Sequence, residues 1–208
     1  MKRSLAILVV LLVPALADAM PVTDPAGWSL TIPDGYREIP KAPGALYSFT
    51  RGSAADADFS AIQIQDAGGT IGNEPIDHAA VERGARDSVK GTSIEILGFD
   101  YREVRWKTFD LDVVMSRMRN GDKTVVSFVT QVPLAGKAIQ IVVGGPVTDT
   151  DRLNADLTEV VSSIQGESNW LSDSERCERI GKGVGMLVGS LGVLAAIWWW
   201  RRRSTATA

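Results

Sequence analysis

The 208-residue chain contains only one cysteine, Cys177, and one histidine, His78. A single cysteine cannot form an internal disulfide, and one histidine with one distant cysteine does not make a usual zinc site. A Ser-His-Asp triad would require His78, which lies near a predicted helix start, where a surface or capping imidazole is expected. The sequence also lacks the G-x-S-x-G motif of a nucleophile elbow. We therefore predict no catalytic residue, no metal ligand and no cofactor.

Positive charge is scarce in the middle of the chain. Residues 20–180 include 16 basic and 24 acidic side chains, a formal charge of −8, although the whole chain carries only −3. A domain with this charge repels nucleic acid and anionic lipid at long range. We therefore exclude nucleic acid as a partner.

Pairs of carboxylates are present, but none follows a recognised ligand or catalytic pattern. Asp56 and Asp58 offer oxygen ligands suited to calcium, yet the sequence does not continue as an EF-hand loop. Asp110 and Asp112 fall on one face of a predicted strand, as the two acids of a glycosidase would. A small envelope hydrolase using carboxylate acid/base chemistry therefore stays open as an alternative function, with no residue assigned to it.

The N-terminus has the pattern of a secretory signal peptide, predicted over residues 1–19. Lys2 and Arg3 precede an apolar run over 5–16, and the small residues of Ala17-Asp18-Ala19 occupy the positions that a signal peptidase reads. An uncleaved N-terminal anchor is the alternative, but the apolar run is short for a membrane span. The pattern predicts export of the domain at 20–166.

A second apolar segment near the C-terminus predicts a transmembrane helix over residues 183–200, after a juxtamembrane linker at 167–182. The 17 residues of 184–200 carry no charge and would span about 26 Å as a helix. Export of the preceding domain leaves 201–208 as a cytoplasmic tail, and a basic cluster beside the span agrees with that orientation. The residues predicted to anchor the span at the membrane interface are Trp198, Trp199, Trp200, Arg201, Arg202 and Arg203.

The predicted span also carries a possible self-association face. Gly181, Gly185 and Gly189 are spaced by four and line one side of a helix, where another helix can approach closely. Cys177 lies just before them and is available for an intermolecular disulfide. A homodimer through the transmembrane helix is one hypothesis. A C-terminal sorting tail removed by a transpeptidase of the exosortase kind is another, although the Pro-Glu-Pro signature is missing.

The exported segment predicts an α+β fold, in which an antiparallel sheet carries two packed helices. The Asn120-Gly121-Asp122 turn is the strongest hairpin signal. The predicted strands are 28–32, 45–51, 59–66, 93–97, 100–107, 111–119, 123–132 and 138–143. The predicted helices are 77–89 and 149–164, the second with a buried stripe of Leu153, Leu157, Val160, Val161 and Ile164.

This order of elements resembles the PsbP-like fold group. The resemblance lies in the opening Trp28-x-x-x-Ile32-Pro33-x-Gly35-Tyr36 and in residues 128–133, which precede a final strand and helix. The group includes photosystem-associated lumenal subunits and small exported bacterial proteins, and it implies an accessory or binding role without a shared catalytic set. The function expected is that of a non-catalytic binding or accessory protein of the cell envelope. It is held in the inner membrane by one span, with membrane lipid and an unknown envelope protein as partners.

Overall fold

The computed structural model describes residues 19–52 and 59–170. In this part of the chain, seven strands form one antiparallel sheet in the order β3-β4-β5-β9-β8-β7-β6, and β1 and β2 form a separate hairpin. The strands are β1 (Met20–Thr23), β2 (Ser29–Ile32), β3 (Arg37–Glu38), β4 (Ala45–Arg51), β5 (Ser60–Asp66), β6 (Ile94–Trp106), β7 (Phe109–Asn120), β8 (Lys123–Val132) and β9 (Ile139–Pro146). The helices are α1 (His78–Ser88) and α2 (Thr150–Ser163). The predicted α+β class, with an antiparallel sheet and two helices, is confirmed.

Helix α2 covers one face of the sheet, which we call the inner face. Successive strand residues point to opposite faces, so every second residue of β5, β7, β8 and β9 packs towards this helix. The helix contributes the stripe that its 3.6-residue period predicts, and the whole stripe is buried. The largest fully buried side chains are Trp106, Phe49, Phe128, Ile32, Ile62, Ile64, Leu111, Met115, Leu134, Ile139, Ile141 and Leu153.

The β1–β2 hairpin attaches to the end of α2. Ser29 and Gln165 exchange two backbone hydrogen bonds of 3.0 and 2.7 Å, and the Thr31 amide donates to the Ser163 hydroxyl at 2.9 Å. Leu30 and Ile32 are buried against the same helix. The N-terminal hairpin therefore closes the core at the point where α2 ends.

A buried polar cluster ties the same helix to β4. The Tyr36 hydroxyl donates to Asp156 Oδ2 at 2.9 Å, and Arg51 Nη1 donates to the same oxygen at 3.1 Å. The Arg51 guanidinium lies over the Tyr36 ring, 4.3 Å from its centroid, and also donates to the Asp34 carbonyl oxygen. Because Asp156 is nearly buried, these donors satisfy a carboxylate that would be costly to leave unpaired.

Burial, followed by the neighbouring Asp156 carboxylate, raises the pKa of Tyr36 far above its ordinary value near 10. Tyr36 therefore ionises at a lower pH in the unfolded chain than in the folded protein. Its contribution to the stability is complete below pH 10 and is lost as the pH rises further. We expect the free energy of unfolding to fall by up to about 1 kcal/mol per pH unit above pH 10 through this group. Urea denaturation at several alkaline pH values measures it. Tyr36→Phe should flatten the slope, Tyr47→Phe should change it less, and an unchanged slope in Tyr36→Phe would contradict the assignment.

Four strands differ from the sequence-based expectation. The predicted strands 93–97 and 100–107 are one strand, β6, because Gly98 lies at a β-bulge that shifts the register with β7 instead of ending the strand. The last strand continues past 143 to Pro146. Strands β1 and β3 were not predicted, since each is short and has too few residues to show alternation.

Residues between the end of α2 and Trp170 pack against the rest of the domain. Leu134 and Ser168 form an isolated antiparallel bridge, and the Asn169 amide donates to the Pro133 carbonyl at 2.9 Å. Ser168 and Asn169 stand at the start of the segment predicted as the linker, yet they pair with residues 133–134, directly after β8. Among the described residues, no helix is both long and apolar enough to cross a bilayer. The predicted span at 183–200 lies outside the described residues, as does the predicted signal segment except for Ala19.

Candidate functional site

Helix α1 lies on the face of the sheet opposite α2, which we call the outer face. It begins at an N-cap, Asp77, whose side chain accepts a hydrogen bond from the Ala80 amide at 3.1 Å. Ile76 before the cap and Val81 in the first turn stand in the positions of a hydrophobic staple. Val81 and Ala85, four residues apart, then share the side of the helix that points to the sheet.

Helix α1 buries none of its own residues. Strand β6 holds it at the edge of the sheet, where the Tyr101 ring stacks on the His78 imidazole at 3.6 Å with an interplanar angle of 6°. The Tyr101 hydroxyl donates to the His78 carbonyl and to Glu82 Oε1, both at 3.3 Å. The Arg86 guanidinium lies 5.6 Å from the centroid of the Phe99 ring. Because these contacts join α1 to β6 at the edge of the sheet, a space remains between α1 and the middle of the sheet.

This space is a cleft of about 320 Å³. Ligand sites in proteins commonly measure about 300–1,000 Å³, are mostly apolar and contain a few polar groups that orient the ligand. The apolar lining of the cleft comes from α1, the loop before it and the outer face of the sheet, and its polar lining is concentrated on β7, β8 and β9. The cleft is lined by Ile71, Gly72, Glu74, Ile76, Val81, Ala85, Phe99, Asp112, Val114, Ser116, Val129, Thr130, Gln131, Gln140 and Trp170.

The indole of Trp170 contributes one wall of the cleft. Its Nε1 donates to the Ile71 carbonyl at 2.9 Å, and its ring meets Phe109 edge to face at 5.6 Å. These contacts connect the end of the described chain to the loop before α1. The wall is therefore held by a hydrogen bond at one end and an aromatic contact at the other.

A row of four glutamine side chains runs from the cleft across the sheet. Gln131 donates to Gln140 at 3.3 Å, Gln140 donates to Gln65 at 3.1 Å, and Gln65 donates to Gln63 at 3.0 Å. The antiparallel register causes this arrangement, because Gln140 is directly opposite Gln131 on one side and Gln65 on the other. The row places the amide of Gln131 at the polar end of the cleft.

Two carboxylates also line the cleft, those of Glu74 and Asp112. Asp112 stands directly opposite Glu103 in the β6–β7 register, so the two acidic side chains share the outer face. Asp110 on the same face forms an ion pair with Arg105 at 2.7 Å. Within residues 19–52 and 59–170, none of the ion pairs includes Glu74, Asp112 or Glu103, so these carboxylates have no cationic partner in that part of the chain.

The residues singled out from the sequence fall mostly elsewhere. His78 stacks on Tyr101 at the sheet edge, and the described residues include no group of three or more His, Cys, Asp or Glu that could hold a metal. Asp110 and Asp112 do share a face, as predicted, but only Asp112 lines the cleft. The predicted association and anchoring residues lie outside the described residues and stay predictions. These are Gly181, Gly185, Gly189, Cys177, Trp198, Trp199, Trp200, Arg201, Arg202 and Arg203.

No protein-family model matches the chain, and no curated protein matches it. Among solved structures it is similar to PsbP (CyanoP) from Synechocystis sp. PCC 6803, at 16% identity over 74% of this chain and 95% of that one, with a TM-score of 0.46. It is also similar to LpqN, described as involved in cell envelope biogenesis of Mycobacterium tuberculosis, at 19% identity over 71% and 84% of the two chains, with a TM-score of 0.43. A third is the Saccharomyces cerevisiae Ran-binding protein Mog1p, at 15% identity over 72% and 95%, with a TM-score of 0.41.

The predicted resemblance to the PsbP-like fold group is confirmed at the level of the fold. The identities are below 20% and the TM-scores below 0.5, so the likeness is distant and concerns the path of the chain alone.

Proposed function

We propose that this protein is a membrane-anchored, outward-facing, non-catalytic binding protein of the cell envelope, and that the cleft beneath α1 is its ligand site. The cleft is the observation that carries this proposal. Its walls include the apolar side chains of Val81, Ala85, Val114 and Val129. A ligand bound between them would remove apolar surface of the ligand and of these walls from water, which favours binding. Its polar end supplies orientation through Gln131 and the two carboxylates.

The sequence supports the anchored location. Trp170 forms a wall of the cleft, and the predicted span begins at residue 183, so only the 12 residues 171–182 separate them. A chain extends by at most about 3.6 Å per residue, which limits this connection to roughly 43 Å. An anchor at 183–200 would therefore keep the cleft within a domain diameter or so of the membrane surface.

The anchoring is tested by membrane fractionation of the producing cells. We expect the full chain to stay with the membranes after alkaline carbonate extraction and to be digested by protease added from the outside. A variant that ends after Trp170 should be recovered in the soluble extracytoplasmic fraction. Carbonate release of the full chain would contradict the anchor. An intact mass lacking residues 183–208 would instead indicate removal of the tail by a sorting enzyme.

The ligand site is tested by filling it. Ser116 lies on β7 and lines the cleft, so the indole of Ser116→Trp would occupy space that a ligand needs. We expect at least a tenfold loss of affinity for the uncharged dye N-phenyl-1-naphthylamine, measured by its fluorescence. Ser162→Trp, on the exposed side of α2, is the matched control and should bind as the unaltered protein does. Equal affinity in all three proteins would show that the dye does not bind in the cleft.

A second function is favoured by one observation, that Glu74 and Asp112 both line the cleft. Two carboxylates around a cavity are the arrangement of glycoside hydrolases, which need one acid and one base or nucleophile. A panel of aryl glycosides distinguishes the two functions. Release of the aryl group that is lost in both Glu74→Gln and Asp112→Asn would establish a hydrolase and overturn the non-catalytic proposal.

A further inference from the structure

We infer that the ligand of the cleft is a small organic cation, with an apolar body that lies beneath α1 and an ammonium or guanidinium head at the carboxylate end. This inference rests on the proposed function of the cleft as a ligand site and adds the charge and chemical class of what it takes. Three features carry it: the apolar walls, the carboxylates at one end and the composition of the rest of the lining.

The apolar part of the cleft sets the body of the ligand. Val81 and Ala85 face Val114 and Val129 across the space, and Phe99 and Trp170 supply two aromatic rings. Each methylene of a ligand that is buried there contributes about fourfold in affinity. Aromatic rings also attract a cation placed over their faces, so these walls accept the carbon atoms next to a cationic head as well as an apolar chain.

The carboxylates determine the sign of the charge on the head group of the ligand. Ionised carboxylates only accept hydrogen bonds, so Glu74 and Asp112 select a head that donates them. Like charges directly opposite each other on neighbouring strands repel, as Asp112 and Glu103 do here. A cation bound beside Asp112 relieves that repulsion, whereas an anionic head would add a further negative charge to it.

The remaining lining gives an anion no cationic partner, and Arg86, whose guanidinium contacts the Phe99 ring, is not among the lining residues. Among the described residues that line the cleft there is no lysine and no arginine. The amide of Gln131 does not decide the sign, because the four glutamine amides can be inverted together and keep all three of their hydrogen bonds. In one direction the row presents an oxygen to the ligand, and in the other an N–H. The carboxylates therefore determine the preference, and the amide adapts to it.

The test compares three probes that share a phenyl ring and four methylenes and differ only in the head group: 4-phenylbutylammonium, 4-phenylbutan-1-ol and 5-phenylpentanoate. Binding to the full chain in nanodiscs of zwitterionic lipid is measured by isothermal titration calorimetry, with empty nanodiscs subtracted. We expect the ammonium to bind at least tenfold more tightly than the carboxylate, with the alcohol between them. The preference should weaken as the salt concentration rises, because salt screens exposed charges.

Variants test whether the carboxylates cause the preference for the ammonium, separately from whether the cleft binds the probes. The double variant Glu74→Gln with Asp112→Asn should lose the preference for the ammonium and keep its affinity for the alcohol, which also shows that it is folded. Asp110→Asn, on the same strand but paired with Arg105 and outside the cleft, is the matched control and should keep the preference.

The other outcomes overturn either the organic-cation inference alone or that inference together with the proposed function of the cleft. Equal or tighter binding of the carboxylate overturns the organic-cation inference and leaves the cleft as a ligand site. The same result follows if none of the three probes binds while the uncharged dye does. Binding of all three probes that Ser116→Trp does not reduce overturns both the inference and the proposed function of the cleft.

Discussion

Replacing Trp106 by alanine is expected to lower the free energy of unfolding by about 4 kcal/mol, the largest effect we predict for a single substitution. Trp106 ends β6 and is only 1% exposed. Its indole Nε1 donates to the Ile164 carbonyl at 3.1 Å, where α2 has just ended. The substitution therefore opens a cavity beneath α2 and also leaves a buried carbonyl without its donor.

Urea denaturation followed by far-ultraviolet circular dichroism measures this loss. Trp106→Phe keeps a six-membered ring in the core and removes the pyrrole part with its N–H donor, so a smaller loss of about 2 kcal/mol is expected. A loss below 1 kcal/mol in the alanine variant would show that Trp106 does not pack between the sheet and α2 as described.

Asp156→Ala is expected to lower the free energy of unfolding by about 3 kcal/mol. The side chain of Asp156 is 8% exposed and that of its partner Arg51 is 22% exposed, so the ion pair is largely removed from water. Alanine would leave the Arg51 guanidinium and the Tyr36 hydroxyl without the acceptor they share. The cost comes from those unpaired groups more than from the lost attraction itself.

The Arg105–Asp110 pair is the matched control, because both of its side chains are more than half exposed. Its hydrogen bonds of 2.7 Å are shorter than those of the buried pair. Exposed ion pairs nevertheless contribute only about 0–1 kcal/mol, so Asp110→Ala should cost less than 1 kcal/mol. Equal losses for Asp110→Ala and Asp156→Ala would contradict the role given to burial.

The elements with strong local signals could be predicted from the sequence. The bounds of α1 are close to the prediction because Asp77 is a good N-cap, and those of α2 because its apolar stripe is regular. The β7–β8 hairpin follows from the turn at Gly121, whose φ is +63°. The prediction divided β6 at residues 98–99, where a glycine can mark either a break or a bulge, and the choice between them depends on pairing with β7.

The cleft could not be predicted, because its parts carry no local signal. Val114 and Val129 alternate with buried residues and so belong to the face that sequence patterns assign to solvent. Gln65 and Gln140, far apart in the chain, become neighbours only through the register of β5 with β9. Trp170 follows the last helix, in residues that the sequence placed in a linker. Asp112 was noted for its spacing from Asp110, but its position in a cavity depends on α1.

The order of strands in the sheet has a consequence for the time course of folding. Strands β6 to β9 each pair with the next strand in the chain. This half of the sheet can therefore form from local contacts while the chain is being synthesised. Strand β5 instead pairs with β9, across a loop that includes α1 and three long strands. The unit of β3, β4 and β5 can therefore join the rest of the sheet only after β9 has been synthesised, and the unpaired edge of β5 needs protection from aggregation during that delay.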